Sequence, residues 1–212
     1  MNLYYPAFLR LAGRPVLLVG GGTAALQQAI ALGEAGARIT VIAPVMHPDM
    51  RNVPGVVRRV RRAFQAADLD GLSRPWLTVA ASGDDKTDAR VVRAGVRARV
   101  WVGLSGRPVP GSFLSPAVVR LGTATFAVST GGSSPLLSRF LAARLGTVFG
   151  PEIGVLARLL GSLRPKLKTL SIPDRKKLIE AVLFQAAERD LRPNDVRRME
   201  KNILDGLNRE ID

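Results

Sequence analysis

Residues Val16–Leu26 read VLLVGGGTAAL, an aliphatic run that breaks into three glycines and continues in small, helix-compatible residues. Val16–Val19 is short and rich in β-branched side chains, the composition of a strand buried on both faces. Gly20-x-Gly22-x-x-Ala25 matches the dinucleotide fingerprint. In that pattern the first glycine turns the chain, the second lets backbone approach a pyrophosphate, and the third small residue lets helix lie against strand. A helix over Thr23–Ala35 follows, with Leu26, Ile30 and Gly33 expected on its buried face and Gly36 at its C-cap. Arg38–Ala43 (RITVIA) then forms a second strand, stopped by Pro44. The three elements make a right-handed β-α-β unit whose helix N-terminus offers N–H groups to phosphates. Gly20, Gly22, Thr23, Ala24 and Ala25 are therefore the expected cofactor contacts.

An acidic residue commonly ends the second strand of such units and holds the adenosine ribose. Here the chain has Ile42-Ala43-Pro44, so backbone at Ala43 and Pro44 is assigned that task. Arg51, Arg58 and Arg59 leave room for a 2′-phosphate, and charge does not separate NAD from NADP.

Strands are expected at Val56–Val60, an arginine-bearing and hence exposed one, at Trp76–Ala81 and at Arg99–Leu104, with a helix over Lys86–Ala98 between the last two. Ser82 follows the WLTVAA strand and is assigned to the cofactor, while Asp84 and Asp85 read as helix-start residues. Trp76, Trp101 and Phe126 are assigned to the core. The alternation predicts an open α/β sheet with helices on both faces. Beyond Phe113 the texture changes to strands at Ala117–Arg120 and Ala124–Ser129, a glycine loop at Thr130–Ser134 and a helix from Pro135. From Pro151 the chain reads as helical, with Ile153, Leu156, Leu159, Leu160 and Leu163 at helical spacing, Pro165 and Pro173 dividing it and Asp174 opening a further helix. Leu191–Asp212 supplies one more. The expected domains are 1–112, 113–150 and 151–212.

The chain has 212 residues, 47% of them apolar, enough for a substantial core. It has no cysteine and a single histidine, His47. Disulfides, thiolate metal sites and multi-histidine cages are thereby excluded, and no metal ligand set is expected. Thirty-one Lys+Arg against seventeen Asp+Glu give a formal net charge of +14, which favours anionic partners. No apolar run of about 18 residues occurs, so a soluble, cytoplasmic protein is expected.

Taken together, VLLVGGGTAAL, EAGARITVIAP, VAASGDD, SFLSPAVVR and FAVSTGGSSPLLSRFLAARL resemble, in order and separation, the precorrin-2 dehydrogenase family, the siroheme synthase N-terminal domain. The resemblance covers residues 3 to about 165, and STGGSSP (Ser129–Pro135) is its most specific element. It implies NAD-dependent oxidation of precorrin-2 to sirohydrochlorin, in some members followed by ferrochelation. It also implies a homodimer with a Rossmann-type parallel sheet, a small α+β dimerisation region and a C-terminal helical domain. An octacarboxylate macrocycle gives the net positive charge a function. By this resemblance Ser129, Thr130, Gly131, Ser133, Arg120, Arg139 and Ser115 are the expected substrate contacts, with Arg107 ranked below them.

Several positions depart from the family pattern. Its proposed catalytic aspartate falls on Gly106, which cannot carry a proton, so the catalytic acid/base is unassigned. A lysine early in the first helix is replaced by Gln28, an Arg-Gly-Asp-Leu turn reads Leu121-Gly122-Thr123-Ala124, and an arginine and a glutamate fall on Ala142 and Gly146. Three readings follow: a dehydrogenase, since hydride transfer depends chiefly on alignment; a loss of chelatase activity; or a relative that binds tetrapyrrole or NAD without turnover. An NAD(H)-sensing DNA-binding protein is the competing class, opposed by dispersed arginines and the lack of a helix-turn-helix with a glycine turn. The expected partners are precorrin-2 and a second copy of the chain, rather than membrane or nucleic acid.

Overall fold

A computed structural model describes residues 4–70, 74–105, 111–187 and 201. The chain divides into two compact units, Met1–Ser115 with Thr130–Pro135, and Pro116–Ser129 with Leu136–Asp212.

The first unit is organised by a five-stranded sheet in the order β3-β2-β1-β4-β5, parallel throughout. Its strands are β1 (Pro15–Val19), β2 (Arg38–Ile42), β3 (Val56–Val60), β4 (Leu77–Ala80) and β5 (Trp101–Leu104). Successive side chains of β1 serve opposite faces, as a period of two requires. Val16 and Leu18 join Ile39, Val41 and Val79 beneath helix α1 (Thr23–Glu34). Leu17 and Val19 join Ala80, Val102 and Leu104 beneath helix α2 (Asp85–Ala98). Both faces are thus covered, as expected for an all-parallel sheet. Each fully buried aliphatic side chain contributes about 1.5–3 kcal/mol.

The buried face of α1 differs from expectation. Ala25 and Ala29 are fully buried, Leu26 is only partly covered, and Ile30 is 44% exposed. Small residues win because the helix lies close: at Gly33, correctly placed on that face, a Cβ would run into the Pro54 carbonyl. The C-cap is Ala35 rather than Gly36, which follows it at φ +75° and donates its N–H to the Gly33 carbonyl at 2.9 Å, the left-handed turn beyond the cap that glycine makes most easily. Strand β5 begins at Trp101 rather than Arg99, because Arg99 takes the left-handed conformation (φ 53°) as the C-cap of α2. Trp76 and Trp101 are 52% and 53% exposed, not core residues. Trp76 instead lies under the Arg14 guanidinium, 3.8 Å from the ring centre.

Strand β3 is an edge strand, and its central residues Val57, Arg58 and Arg59 are exposed. Just beyond it, Arg62 donates to both carboxylate oxygens of Asp68 at 2.9 and 2.5 Å, and the Gln65 N–H donates to Asp68 Oδ2 at 2.8 Å. Partial burial pushes the Asp68 carboxyl up, but these bonds outweigh it and hold the group below its ordinary value. A depressed carboxyl contributes stability above its unfolded value of about 4, and that contribution disappears as pH falls through the lower folded value. Asp68→Ala should therefore lower unfolding stability by about 2 kcal/mol at neutral pH, with the difference from the parent vanishing in acid. Urea unfolding at neutral and acidic pH measures this, and an equal deficit at both would contradict it.

The second unit contains an antiparallel hairpin, β6 (Ala117–Leu121) and β7 (Ala124–Val128), joined by Gly122-Thr123. Helices α3 (Pro135–Val148), α4 (Glu152–Leu167) and α5 (Ile172–Ala187) follow. Leu156, Leu159, Leu163 and Leu167 line the buried side of α4, and Thr123 Oγ1 donates to the Gly154 carbonyl at 3.1 Å, tying helix to hairpin. Phe126 is half-buried and stacks on Phe149 with ring centres 5.4 Å apart. Pro165 does not divide the helix as expected. It sits in the last turn of α4, where the helix forgoes the one bond that an N–H at 165 would make to the Gly161 carbonyl, and the helix ends two residues later at Leu167. Helix α5 starts before Asp174: the Ser171 hydroxyl and the Asp174 carboxylate are hydrogen-bonded across its first turn, and the Asp174 N–H returns to Ser171 Oγ at 3.3 Å. Pro173 falls in that first turn, where no donor is needed. The helix expected over Leu191–Asp212 lies outside the described residues.

Among the described residues no single helix is long and apolar enough to cross a membrane; α3 and part of α4 reach that length only as a pair bent by 72°.

Candidate dinucleotide site

The sheet order reverses between β1 and β4, since β1 leads to β2 on one side and β4 leads to β5 on the other. Open α/β sheets bind ligands beyond the C-terminal ends of the strands at such a reversal. The glycine loop stands there. Gly20 donates its N–H to the Ile42 carbonyl at 2.9 Å, and the Gly21 carbonyl accepts from the His47 N–H at 2.7 Å. Gly20 has φ +132°, and a Cβ on it would run into the Ala81 carbonyl, so this residue packs the loop between β2 and β4.

Gly22 is different. It is the N-cap of α1 with φ −81° and ψ −171°, no side chain caps the helix, and no acidic residue lies in its first turn. A Cβ at Gly22 would meet nothing within 4 Å. Helix starts leave their first N–H groups without intrahelical acceptors, and here they face open space with the positive end of the dipole behind them. This is what a pyrophosphate requires.

The start of α2 has the opposite electrostatics. Asp84 accepts the Thr87 N–H at 2.8 Å, and the Thr87 side chain together with that N–H holds its carboxyl below the ordinary value. Asp85 and Asp88 add two more acids to the first turn. Asp88 accepts from Ser82 Oγ at 2.6 Å and from the Ser82 N–H at 3.1 Å. Between the two helix starts lies a cavity of about 300 Å³ lined by Ala24, Ala81, Gly83, Asp88, Leu104 and Ser105, among others. An anion in it is attracted by the bare start of α1 and repelled by the carboxylates at the start of α2.

The expected cofactor residues fall as follows. Gly20, Gly22, Thr23 and Ala24 form the loop and first turn, with Ala24 on the cavity wall, and Ala25 is fully buried as the close-packing residue. Ala43 is buried with its N–H on the Val60 carbonyl at 3.2 Å, and Pro44 is exposed. The Ser82 hydroxyl is engaged by Asp88. His47 caps the short turn Pro48–Arg51, its Nδ1 accepting from the Asp49 N–H at 3.2 Å. Asp88 and Ser105 escaped the sequence reading, because neither stands in a motif. Ser105 is found only by following β5, and Gln28, noted as a departure, donates to its hydroxyl at 3.4 Å.

Of the expected substrate residues, Ser115, Thr130, Gly131 and Ser133 belong to the first unit, and Ser129, Arg120 and Arg139 to the second. Thr130 closes its own loop: its Oγ1 accepts from the Ser134 N–H at 2.9 Å, and its carbonyl accepts from the Ser133 N–H at 3.1 Å. Gly131 at φ +64° makes that turn possible. Arg120, Arg139, Ser115, Ser129, Gly131 and Ser133 are exposed. Gly106 and Arg107 lie outside the described residues.

Residues 7–117 match a family model described as "Putative NAD(P)-binding". Siroheme synthase 2 of Aeromonas hydrophila is 36% identical over 179 residues, 84% of this chain and 37% of its own length. Siroheme synthase 1 of Halorhodospira halophila is 38% identical over 177 residues, 81% of this chain and 36% of its own length. The siroheme synthase of Pseudomonas aeruginosa is 35% identical over 213 aligned positions, 96% of this chain and 45% of its own length. The chain thus spans less than half the length of these relatives. Among solved structures, the precorrin-2 dehydrogenase SirC aligns with a TM-score of 0.72 at 24% identity, covering 95% of this chain and all of that one, and so shares its fold. With the glycine loop, the bare start of α1 and the crevice at the sheet reversal where that family model falls, the chain belongs to the NAD(P)-binding family the model describes.

Proposed function

We propose that the chain is an NAD-dependent dehydrogenase that oxidises precorrin-2 to sirohydrochlorin. The observation that carries this is the uncapped start of α1 facing the crevice at the β1/β4 reversal, in a chain whose relatives are siroheme synthases. NAD, when bound, supplies the acceptor for a hydride. The residues of the chain do the rest: backbone N–H groups from Gly22 to Ala24 hold the pyrophosphate, and the acids of α2 keep it against α1. Backbone at Ala43 and Pro44 takes the ribose. Ser115, Ser129, Thr130, Gly131, Ser133, Arg120 and Arg139 are proposed to hold the substrate's carboxylates, the arginines through paired N–H groups. The reaction removes a hydride and a proton from the macrocycle. With glycine at position 106, the proton leaves to water or to a substrate carboxylate, and the lost general base costs about 10²–10⁴-fold in rate without forbidding the step.

That glycine also supports a second reading, binding without turnover. Under either reading chelatase activity is weak. Residues 113–150 are proposed as the dimerisation region: α3 leaves Leu136, Leu137, Phe140, Leu141 and Val148 exposed, a surface a second copy would cover.

Incubated anaerobically with NAD and enzymatically generated precorrin-2, the protein should develop the absorption spectrum of sirohydrochlorin. A spectrum no different from the enzyme-free control would overturn the dehydrogenase reading. Ferrous or cobalt ion added to sirohydrochlorin should be inserted little faster than in that control.

A further inference from the structure

We propose that the acidic start of α2 selects the oxidised cofactor, so that NAD binds this chain more tightly than NADH. This rests on the dinucleotide reading above, and it turns on one charge. The nicotinamide ring of NAD is a cation that becomes neutral when it accepts a hydride, whereas the pyrophosphate carries the same charge in both forms. Sheet order assigns the ring its side. The bare start of α1 follows β1, and the adenosine ribose belongs to the end of β2, on one flank of it. A dinucleotide held there by its middle carries its other nucleoside to the opposite flank, over the ends of β4 and β5. The cavity of about 300 Å³ opens at those ends, with Ala81 after β4 and Leu104 and Ser105 at the end of β5 in its walls.

The charges of that cavity are one-sided. Asp85 and Asp88 line it, and no basic side chain does. The bonds that Ser82 donates to Asp88, from its hydroxyl at 2.6 Å and its N–H at 3.1 Å, both end on Oδ1. They fix the carboxylate in place, and its Oδ2 takes no bond from the described residues. The bases of α2 stand elsewhere: Lys86 is exposed and outside the lining, and Arg90, Arg93 and Arg97 line a separate cavity with Phe64 and Asp70. Helical spacing separates the two sets, since residues at i, i+3 and i+4 share a face, which groups Asp85 with Asp88 and Ala89, and Arg90 with Arg93, Ala94 and Arg97. Two carboxylates on a cavity that holds no cation attract a pyridinium and gain nothing from the neutral ring of NADH. The same acids repel phosphate, so ADP-ribose, which has the pyrophosphate and lacks the ring, meets only the repulsion. The selection suits the direction of the proposed reaction: the form that enters is the cation, and the hydride it accepts cancels the attraction that held it.

The test is equilibrium binding, read by calorimetry on the full chain, with NAD, NADH and ADP-ribose as probes. NAD is expected to bind about tenfold or more tighter than NADH. Asp88→Asn keeps an oxygen for the Ser82 donors and removes the charge, and Asp85→Asn leaves the Ser82 bonds untouched. In each, the ratio of NAD to NADH affinity should fall about threefold, and in the double variant to about one. ADP-ribose should bind the variants as tightly as the parent or tighter, a movement that a general loosening of the loop would not produce. NADH binding to the parent as tightly as NAD, or tighter, overturns the proposal and leaves the dinucleotide reading standing. So does a ratio unchanged in both single variants, and so does an ADP-ribose affinity that falls in step with that of NAD. If none of the three probes binds the parent, the dinucleotide reading falls and this proposal with it.

Discussion

Gly20→Ala is expected to unfold the first unit rather than weaken a binding site. Its φ of +132° is a conformation that side-chain-bearing residues scarcely adopt, and the added methyl would be directed at the Ala81 carbonyl. Relief by movement is blocked on both sides, because the Gly20 N–H is bonded to the Ile42 carbonyl and the Ala81 N–H to the Val19 carbonyl. Strain of this kind costs about 1–3 kcal/mol, and backbone displacement in a packed sheet adds a comparable amount. Against a total stability of about 5–15 kcal/mol, a loss of about 4 kcal/mol leaves a marginal protein. Urea denaturation should show an unfolding free energy lowered by that amount, or no cooperative transition. A shift below about 1 kcal/mol would mean the loop is softer than its hydrogen bonds indicate.

Gly22→Asp should do the reverse, abolishing binding while leaving the fold intact or firmer. Its backbone angles suit any residue, and a Cβ there meets only open space. Aspartate is a good N-cap, so the exposed N–H groups of α1 gain an acceptor and stability rises by a few tenths of a kcal/mol. That acceptor occupies the place of the pyrophosphate. Two like charges about 5 Å apart in a partly shielded site repel by about 3 kcal/mol, so affinity for NAD should fall about a hundredfold. Thermal unfolding and calorimetric binding on the same preparation separate the two effects. Parent-like NAD affinity in this variant would place the pyrophosphate elsewhere.

The contrast between these two glycines marks how far the sequence could be read. Val16–Ala25 carries the strand, the turn and the helix start in local preferences of backbone and side chain, and every strand of the first unit lay within two residues of its expected bounds. Which glycine is packed and which is open could not be read locally, because the answer depends on Ala81, some sixty positions away. The buried face of α1 escapes local reading for the same reason: periodicity points to Ile30, whereas close neighbours, the Pro54 carbonyl among them, select Ala25, Ala29 and Gly33. Hydrophobicity points Trp76 and Trp101 to the core, but each lies at the margin of a short strand, and the Arg14 side chain covers the ring of Trp76.

What the sequence determined by itself was the order of elements, the parallel α/β class and the position of the dinucleotide loop, all of which follow from residues near one another in the chain. Only the tertiary structure decided that α1 begins bare while α2 begins capped and acidic, that Ser105 and Asp88 face one cavity, and that the Ala43 N–H meets the Val60 carbonyl. Those are facts of register and of distance through space, and strand pairing fixes them through hydrogen bonds between segments whose separation along the chain carries no trace of it.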